Sequence, residues 1–130
     1  MGEIRVLILD DHALVRELLA SRLSQQPDFE VIGLTGDPDE AVELARRLQP
    51  DMTLVDVRKL DDGPGCCQRL AHASPDSRLV VLTSYLIRGE EQIFQKLGAA
   101  ACLVKADGLK GPLAELRKIM GVQSPSKTTG

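Results

Sequence analysis

Short, mainly aliphatic runs punctuate this chain, and four of them stop at a polar residue of a distinct chemical kind. Ile4 to Leu9 ends at Asp10 and Asp11, Met52 to Val55 at Asp56, Leu79 to Leu82 at Thr83, and Ala101 to Val104 at Lys105. The runs read as strands, and the stretches between them carry a helical period. After Asp11, the residues Leu14, Val15, Leu18, Leu19 and Leu23 share one helical face up to Pro27. A further strand, Phe29 to Leu34, is followed by a turn at Gly36 and Asp37. Asp37 reads as an N-cap with Pro38 at the first helical position and Glu40 at the third, a capping-box spacing. From there Ala41, Leu44, Ala45 and Leu48 repeat at i, i+3, i+4, i+7 until Pro50.

The segment from Val57 to Gly65 is rich in charge, Gly and Pro, which predicts a surface loop with Asp61 and Asp62 solvated. A short helix follows from about Cys66 to Ala73 with a narrow stripe of Cys67, Leu70 and Ala71. Pro75 and Asp76 turn the chain into the fourth strand, and Ile93, Phe94 and Leu97 mark the fourth helix. Gly98 leads to the fifth strand, and Leu113, Leu116 and Met120 mark a last helix stopping near Gly121. Strands and helices alternating in this order predict an α/β fold, a doubly wound, five-stranded parallel sheet of the flavodoxin-like kind. Gln123 to Gly130, QSPSKTTG, has no apolar anchor and is expected to be flexible.

In such a sheet the carboxyl ends of the strands share one edge, which is where ligands bind in open α/β sheets. Three carboxylates, a hydroxyl and an ammonium would meet there. Hard oxygen ligands of this sort suit Mg²⁺, and carboxylates at close range push the pKa of at least one upward unless a cation neutralises them. His12 lies beside the pair, but one histidine next to two aspartates falls short of a zinc motif. An aspartate can itself be the nucleophile in phosphoryl transfer, a reaction that asks the protein chiefly for positioning and charge stabilisation. Asp56, alone on its strand tip and opposite Asp10 and Asp11, is placed for that role, with Lys105 as a second cation and Thr83 as a hydroxyl donor.

Composition narrows the class. With 130 residues, two Phe, one Tyr and no Trp, the core must be aliphatic, as suits parallel strands covered on both faces. Lys plus Arg number 16 against 19 Asp plus Glu, the wrong balance for a domain gripping nucleic-acid phosphates. The three cysteines, an odd number that includes the neighbours Cys66 and Cys67, read as free thiols buried as small hydrophobes. Neither a signal-peptide stretch nor an apolar run of the roughly 20 residues that span a membrane is seen, so a cytoplasmic location is expected.

The ordered set ILDDH, LVDVR, VLTSY and LVK resembles the receiver domain of bacterial response regulators over Ile4 to about Met120. The resemblance implies a receiver over residues 1–121, with 122–130 as a tail or the start of a linker. It implies that Asp56 is phosphorylated by a sensor histidine kinase, with Mg²⁺ held by Asp10, Asp11, Asp56 and the backbone carbonyl of Arg58. Thr83 would turn inward to bond the new phosphate and Lys105 would pair with it. The chain would be no enzyme beyond supporting its own phosphorylation and dephosphorylation. VLTSY, with Lys105 followed by Ala106 and Asp107, is most similar to receivers that precede a LuxR-type DNA-binding domain. DNA would then be met only through a domain absent from this chain, and homodimerisation through the fourth helix, fifth strand and fifth helix is the family expectation.

Several positions depart from the family. Leu60 and Pro64 stand where receivers usually have proline and glycine; a one-residue insertion would put Asp61 and Gly65 there instead. Cys102 occupies the aromatic switch position, with Tyr85 as a candidate substitute, and Ala106 replaces a common proline. Two alternatives stay open: a degenerate receiver acting as a phosphorylation-independent interaction module, and an aspartate-nucleophile phosphatase of the haloacid dehalogenase type. The latter normally needs DxD where this chain has DDH.

Overall fold

The structure is a computed structural model describing residues 3–105 and 109–122. Strands β1 (Ile4–Leu9), β2 (Phe29–Thr35), β3 (Met52–Val55), β4 (Arg78–Thr83) and β5 (Ala99–Val104) alternate with helices α1 (Ala13–Ser24), α2 (Pro38–Leu48), α3 (Gly63–Ala73), α4 (Glu90–Lys96) and α5 (Lys110–Met120). Every strand pair is parallel and the order is β2-β1-β3-β4-β5. The chain steps outward from β1 to β2, then crosses back to β3, so the order reverses between β1 and β3. That reversal opens a crevice at their carboxyl ends, the ligand position of doubly wound sheets.

Alternate residues of each strand serve opposite layers. Ile4, Val6 and Ile8 of β1 join Leu19, Leu23, Leu113 and Leu116 in one core, whereas Leu7 and Leu9 join Ala41, Ala45, Cys67, Leu70 and Phe94 in the other. Both faces are covered, which is why the strands read as continuous aliphatic runs. Cys66, Cys67 and Cys102 are free and buried, and burial pushes the Cys67 thiol up to about 12 and Cys102 to about 11.

Several helix boundaries and faces differ from expectation for local reasons. On α1 only Leu19 and Leu23 are buried, with Val15 partly so, while Leu14 is 77% and Leu18 54% exposed. The sheet covers a single i, i+4, i+8 stripe, narrower than the apolar arc in the sequence. At α2, Asp37 caps as predicted, accepting the Glu40 N–H at 2.8 Å. The reciprocal half of the box is absent: the Glu40 carboxylate takes the Thr35 hydroxyl, and the Asp37 N–H donates to Thr35 Oγ1 at 3.0 Å.

Helix α3 starts three residues before the predicted Cys66, because Asp62 caps it by accepting the Gly65 N–H at 2.9 Å, with Pro64 in the first turn. A Cβ on Gly65 would stand 2.1 Å from Asp62 Oδ2 and force the cap apart. The preceding loop is not wholly superficial, since Val57 and Gly63 are buried and Leu60 packs on the core. Strand β5 begins at Ala99 rather than Ala101, and α4 buries only Phe94, leaving Ile93 52% exposed. Helix α5 ends as predicted, with Gly121 as a left-handed C-cap at φ 74°. The expectations for Ala106, Asp107 and the 123–130 tail lie outside the described residues.

Arg117 ties α5 to the turn before β2. It is buried, and its Nε and Nη2 donate to both Asp28 oxygens at 2.8 and 3.1 Å, with Nη2 also reaching Gln26 Oε1 at 2.7 Å. The Arg117 guanidinium holds the Asp28 carboxyl below its ordinary value, against an opposing push from burial. Asp28→Asn should therefore cost about 1.5–3 kcal/mol of unfolding free energy at pH 7. The Asp28 contribution is present above the unfolded value of 3.8 and is lost as pH falls through the lower folded value, so the parent and D28N should converge in acid. Urea unfolding at pH 7 and in acid measures this; a gap of equal size at both would exclude an ionic contribution.

Candidate functional site at the carboxyl ends of the strands

Backbone pairing carries the sheet one residue past β1 and β3. The Asp10 N–H donates to Thr35 O at 3.0 Å, and the Asp56 N–H to Leu9 O at 3.0 Å. Lys105 follows β5 in the same way, its N–H donating to Thr83 O at 2.8 Å. The ladder thus fixes the three Cα positions through backbone bonds alone.

The side chains then converge. Lys105 Nζ donates to Asp10 Oδ2 at 2.6 Å and to Asp56 Oδ2 at 2.7 Å, so one ammonium bridges two carboxylates from neighbouring strands. The other Asp56 oxygen, Oδ1, accepts the Thr83 hydroxyl at 2.9 Å and the Arg58 N–H at 3.0 Å. Asp10 Oδ1 accepts the His12 N–H at 2.9 Å, folding the carboxylate over the start of α1. Burial alone would push the Asp56 pKa up, but the bonds from Lys105, Arg58 N–H and Thr83 prevail and hold it below its ordinary value. The expected raised carboxylate is therefore not found at Asp56, and the neutralising cation is Lys105.

Asp10, Asp11, Asp56, Arg58 and Lys105 line a cleft of about 170 Å³. Asp10 and Thr83 are buried beneath it and Asp11 is exposed at its mouth. Every site residue predicted from the sequence thus lies in or against this cleft. Among the described residues, no three His, Cys, Asp or Glu side chains are drawn together as a cation cage, and Lys105 takes one oxygen from each of Asp10 and Asp56. The acceptor-only oxygens around the cleft nevertheless suit a hard divalent cation in donor type.

Sequence reasoning missed the side chain of Arg58, which pairs with Glu90 at the start of α4 and lies over the Tyr85 ring at 4.5 Å. Separated by 32 residues, Arg58 and Glu90 carry no shared local pattern that could have linked them.

The profile of the family described as response regulator receiver domain matches residues 6–111. This chain belongs to the response regulator receiver family. Its fold, five parallel strands with five helices, is that of solved receivers, and the dehalogenase-type phosphatase reading gives way to it. It is 40% identical over 103 residues to the transcriptional regulatory protein LiaR of Bacillus subtilis, covering 78% of this chain and 49% of LiaR. It is 38% identical over 99 residues to protein-glutamate methylesterase/protein-glutamine glutaminase 3 of Myxococcus xanthus, covering 75% of this chain and 28% of that protein. Among solved structures, the signal receiver domain of the putative response regulator NarL from Mycobacterium tuberculosis superposes with a TM-score of 0.81 at 25% identity, covering 93% of this chain and 99% of that one. The chain spans about half of LiaR and little over a quarter of the methylesterase; it corresponds to the receiver part alone.

Lys105→Met would leave Asp10 and Asp56 facing each other without their cation. The expected cost is about 1.5–3 kcal/mol of unfolding free energy at pH 7. The Asp56 contribution is present above the unfolded value of 3.8 and is lost as pH falls through its lower folded value, so the loss should shrink in acid. Denaturant melts of parent and variant across this range are the check, and a pH-independent difference would mean that the ammonium contributes only packing.

Proposed function

We propose that this chain is the phosphoacceptor receiver of a two-component system, phosphorylated on Asp56 by a sensor histidine kinase. The observation that carries the reading is the Asp56 carboxylate itself, held ionised at the β1/β3 switch point between Lys105, the Thr83 hydroxyl and the Arg58 N–H. Nucleophilic attack needs the carboxylate form, which the hydrogen bonds around Asp56 favour over the protonated acid. An Asp56 oxygen forms the new O–P bond while the P–N bond of the donor phosphohistidine breaks, its electron pair leaving with the imidazole nitrogen. Lys105 Nζ is within reach of the oxygens that gain charge, and Thr83 Oγ1, freed from Asp56 Oδ1, has a phosphoryl oxygen as its next acceptor.

Asp10, Asp11, Asp56 and the backbone carbonyl of Arg58 would hold Mg²⁺, which when bound supplies positive charge to the phosphoryl oxygens. The receiver corresponds to residues 1–121, and 122–130 to a tail or the start of a linker. The likeness to LiaR favours a transcriptional output through a LuxR-type DNA-binding domain absent from this chain. Exposed Ile93 on α4 and Val104 at the end of β5 favour homodimerisation through the α4, β5 and α5 face. A cytoplasmic location accords with such a kinase partner; among the described residues no helix is long and apolar enough to cross a membrane. The chain supports its own phosphorylation and dephosphorylation and acts on no other substrate.

The second reading, a phosphorylation-independent interaction module, draws on one observation. The 57–65 segment bordering the cleft has Leu60 packed on the core and Pro64 inside α3, where the family usually has proline and glycine.

Intact mass after incubation with Mg²⁺ and acetyl phosphate tests the choice. The parent should gain one phosphoryl group and Asp56→Asn none. If the folded parent gains nothing from acetyl phosphate or from a phosphorylated kinase, the interaction module is the correct reading.

A further inference from the structure

Among the described residues, Arg58 is the one whose hydrogen bonds reach both the Asp56 side chain and α4. Its backbone N–H reaches Asp56 Oδ1 at 3.0 Å, while its guanidinium pairs through Nη2 with Glu90 Oε2. Both partners of that pair are largely enclosed, with side chains 13% and 18% exposed, and the guanidinium lies 4.5 Å from the centre of the Tyr85 ring. Glu90 is bound twice, because its other oxygen accepts the Ile87 N–H at 2.9 Å. The pair therefore pins the segment between β4 and α4 to the loop that follows Asp56.

The guanidinium is not fully satisfied in this arrangement. Arg58 Nε is buried and has no hydrogen-bond partner among the described residues, although Arg58 borders the same cleft as Asp56 and Lys105. A guanidinium fork prefers two acceptors on one planar or tetrahedral oxyanion. A phosphoryl group on Asp56 would bring roughly 1.5 to 2 negative charges and three acceptor oxygens, against the single charge of Glu90.

We propose, resting on the reading of Asp56 as phosphoacceptor, that Arg58 is a switch cation whose guanidinium leaves Glu90 for the phosphoryl oxygens on Asp56 and so releases α4. The exchange requires a swing of the side chain only, since the Arg58 backbone stays anchored beside Asp56. Glu90, enclosed and without its cation, then favours a different arrangement of residues 84–89. The released element is weakly held: α4 has seven residues and buries only Phe94. This route does not need the aromatic ring whose position is filled by buried Cys102.

Because coupling between two sites is reciprocal, weakening the Glu90 contact must favour loading of Asp56. The test uses the full chain, ¹⁵N-labelled, titrated with beryllofluoride in the presence of Mg²⁺ as a stable phosphoryl mimic, alongside acetyl phosphate labelling followed by mass. Glu90→Gln keeps an acceptor for the Ile87 N–H but removes the charge. It should bind beryllofluoride at least about 5-fold more tightly than the parent, in the usual range of such couplings. The Arg58 Nε–H resonance of the parent should shift on loading, and Arg58→Met combined with E90Q should lose the gain. An E90Q affinity equal to or weaker than that of the parent overturns the latch. A gain that persists in R58M/E90Q overturns the transfer of Arg58 to the phosphoryl group. A parent that takes neither acetyl phosphate nor beryllofluoride overturns the phosphoacceptor reading itself, and this inference with it.

Discussion

Lys105 Nζ stands 2.6 Å from an oxygen of Asp10 and 2.7 Å from one of Asp56, and the three groups arrive from three different strands. Two carboxylates this close would repel one another, and taking them out of water is costly unless charge and hydrogen bonds compensate. The ammonium supplies the charge, and Thr83, the Arg58 N–H and the His12 N–H satisfy the remaining oxygens. The result is a site that holds negative charge beside a cation in the crevice, an arrangement suited to the exchange of partners that the proposed phosphoryl transfer would require.

That arrangement is a product of sheet order. β1 and β3 are sequence-distant neighbours because the chain leaves β1 for the β2 edge and then crosses back. Asp10 and Asp56 thereby meet across a single ladder spacing. Lys105 follows β5, two strands from β3 and three from β1, and its long side chain spans the carboxyl end of β4 to reach both carboxylates. Two aliphatic cores, one on each side of the sheet, hold the strand ends in place, and Arg117 locks α5 against the turn before β2. The site therefore sits on strand ends buried on both faces, whereas the neighbouring α4 buries only Phe94. Firm support under Asp56 and a lightly buried helix beside it are what the proposed phosphorylation switch would require.

The loop between Asp56 and α3 departs from the usual receiver pattern at Leu60 and Pro64. Asp62 and Gly65 form a tight helix cap, Val57 and Leu60 turn inward, and the Arg58 side chain pairs with Glu90 of α4. The likeness to LiaR at 40% identity and to the Myxococcus methylesterase at 38% shows that receiver-like sequences occur in proteins of different function. What distinguishes one receiver from another resides in such loops and in the outer helix faces.

The alternation of aliphatic runs with helical periods was enough to determine the fold class, because a strand buried on both faces leaves an uninterrupted run and a covering helix leaves a stripe. The polar stops Asp10, Asp11, Asp56, Thr83 and Lys105 were legible for a related reason: whatever ends a parallel strand must lie at the shared edge, so one-dimensional position dictated three-dimensional company. The extent of the α1 contact was not legible, since Leu14 and Leu18 are as apolar as Leu19 and Leu23 and only the sheet decides which stripe it covers. Nor was the start of α3, where Asp62 could act as a cap only once Gly65 lay against it. The pairing of Arg58 with Glu90, and which oxygens of Asp10 and Asp56 share Lys105, belong to the tertiary structure alone. Side-chain partners far apart in sequence are selected by distance and direction, which no local propensity encodes.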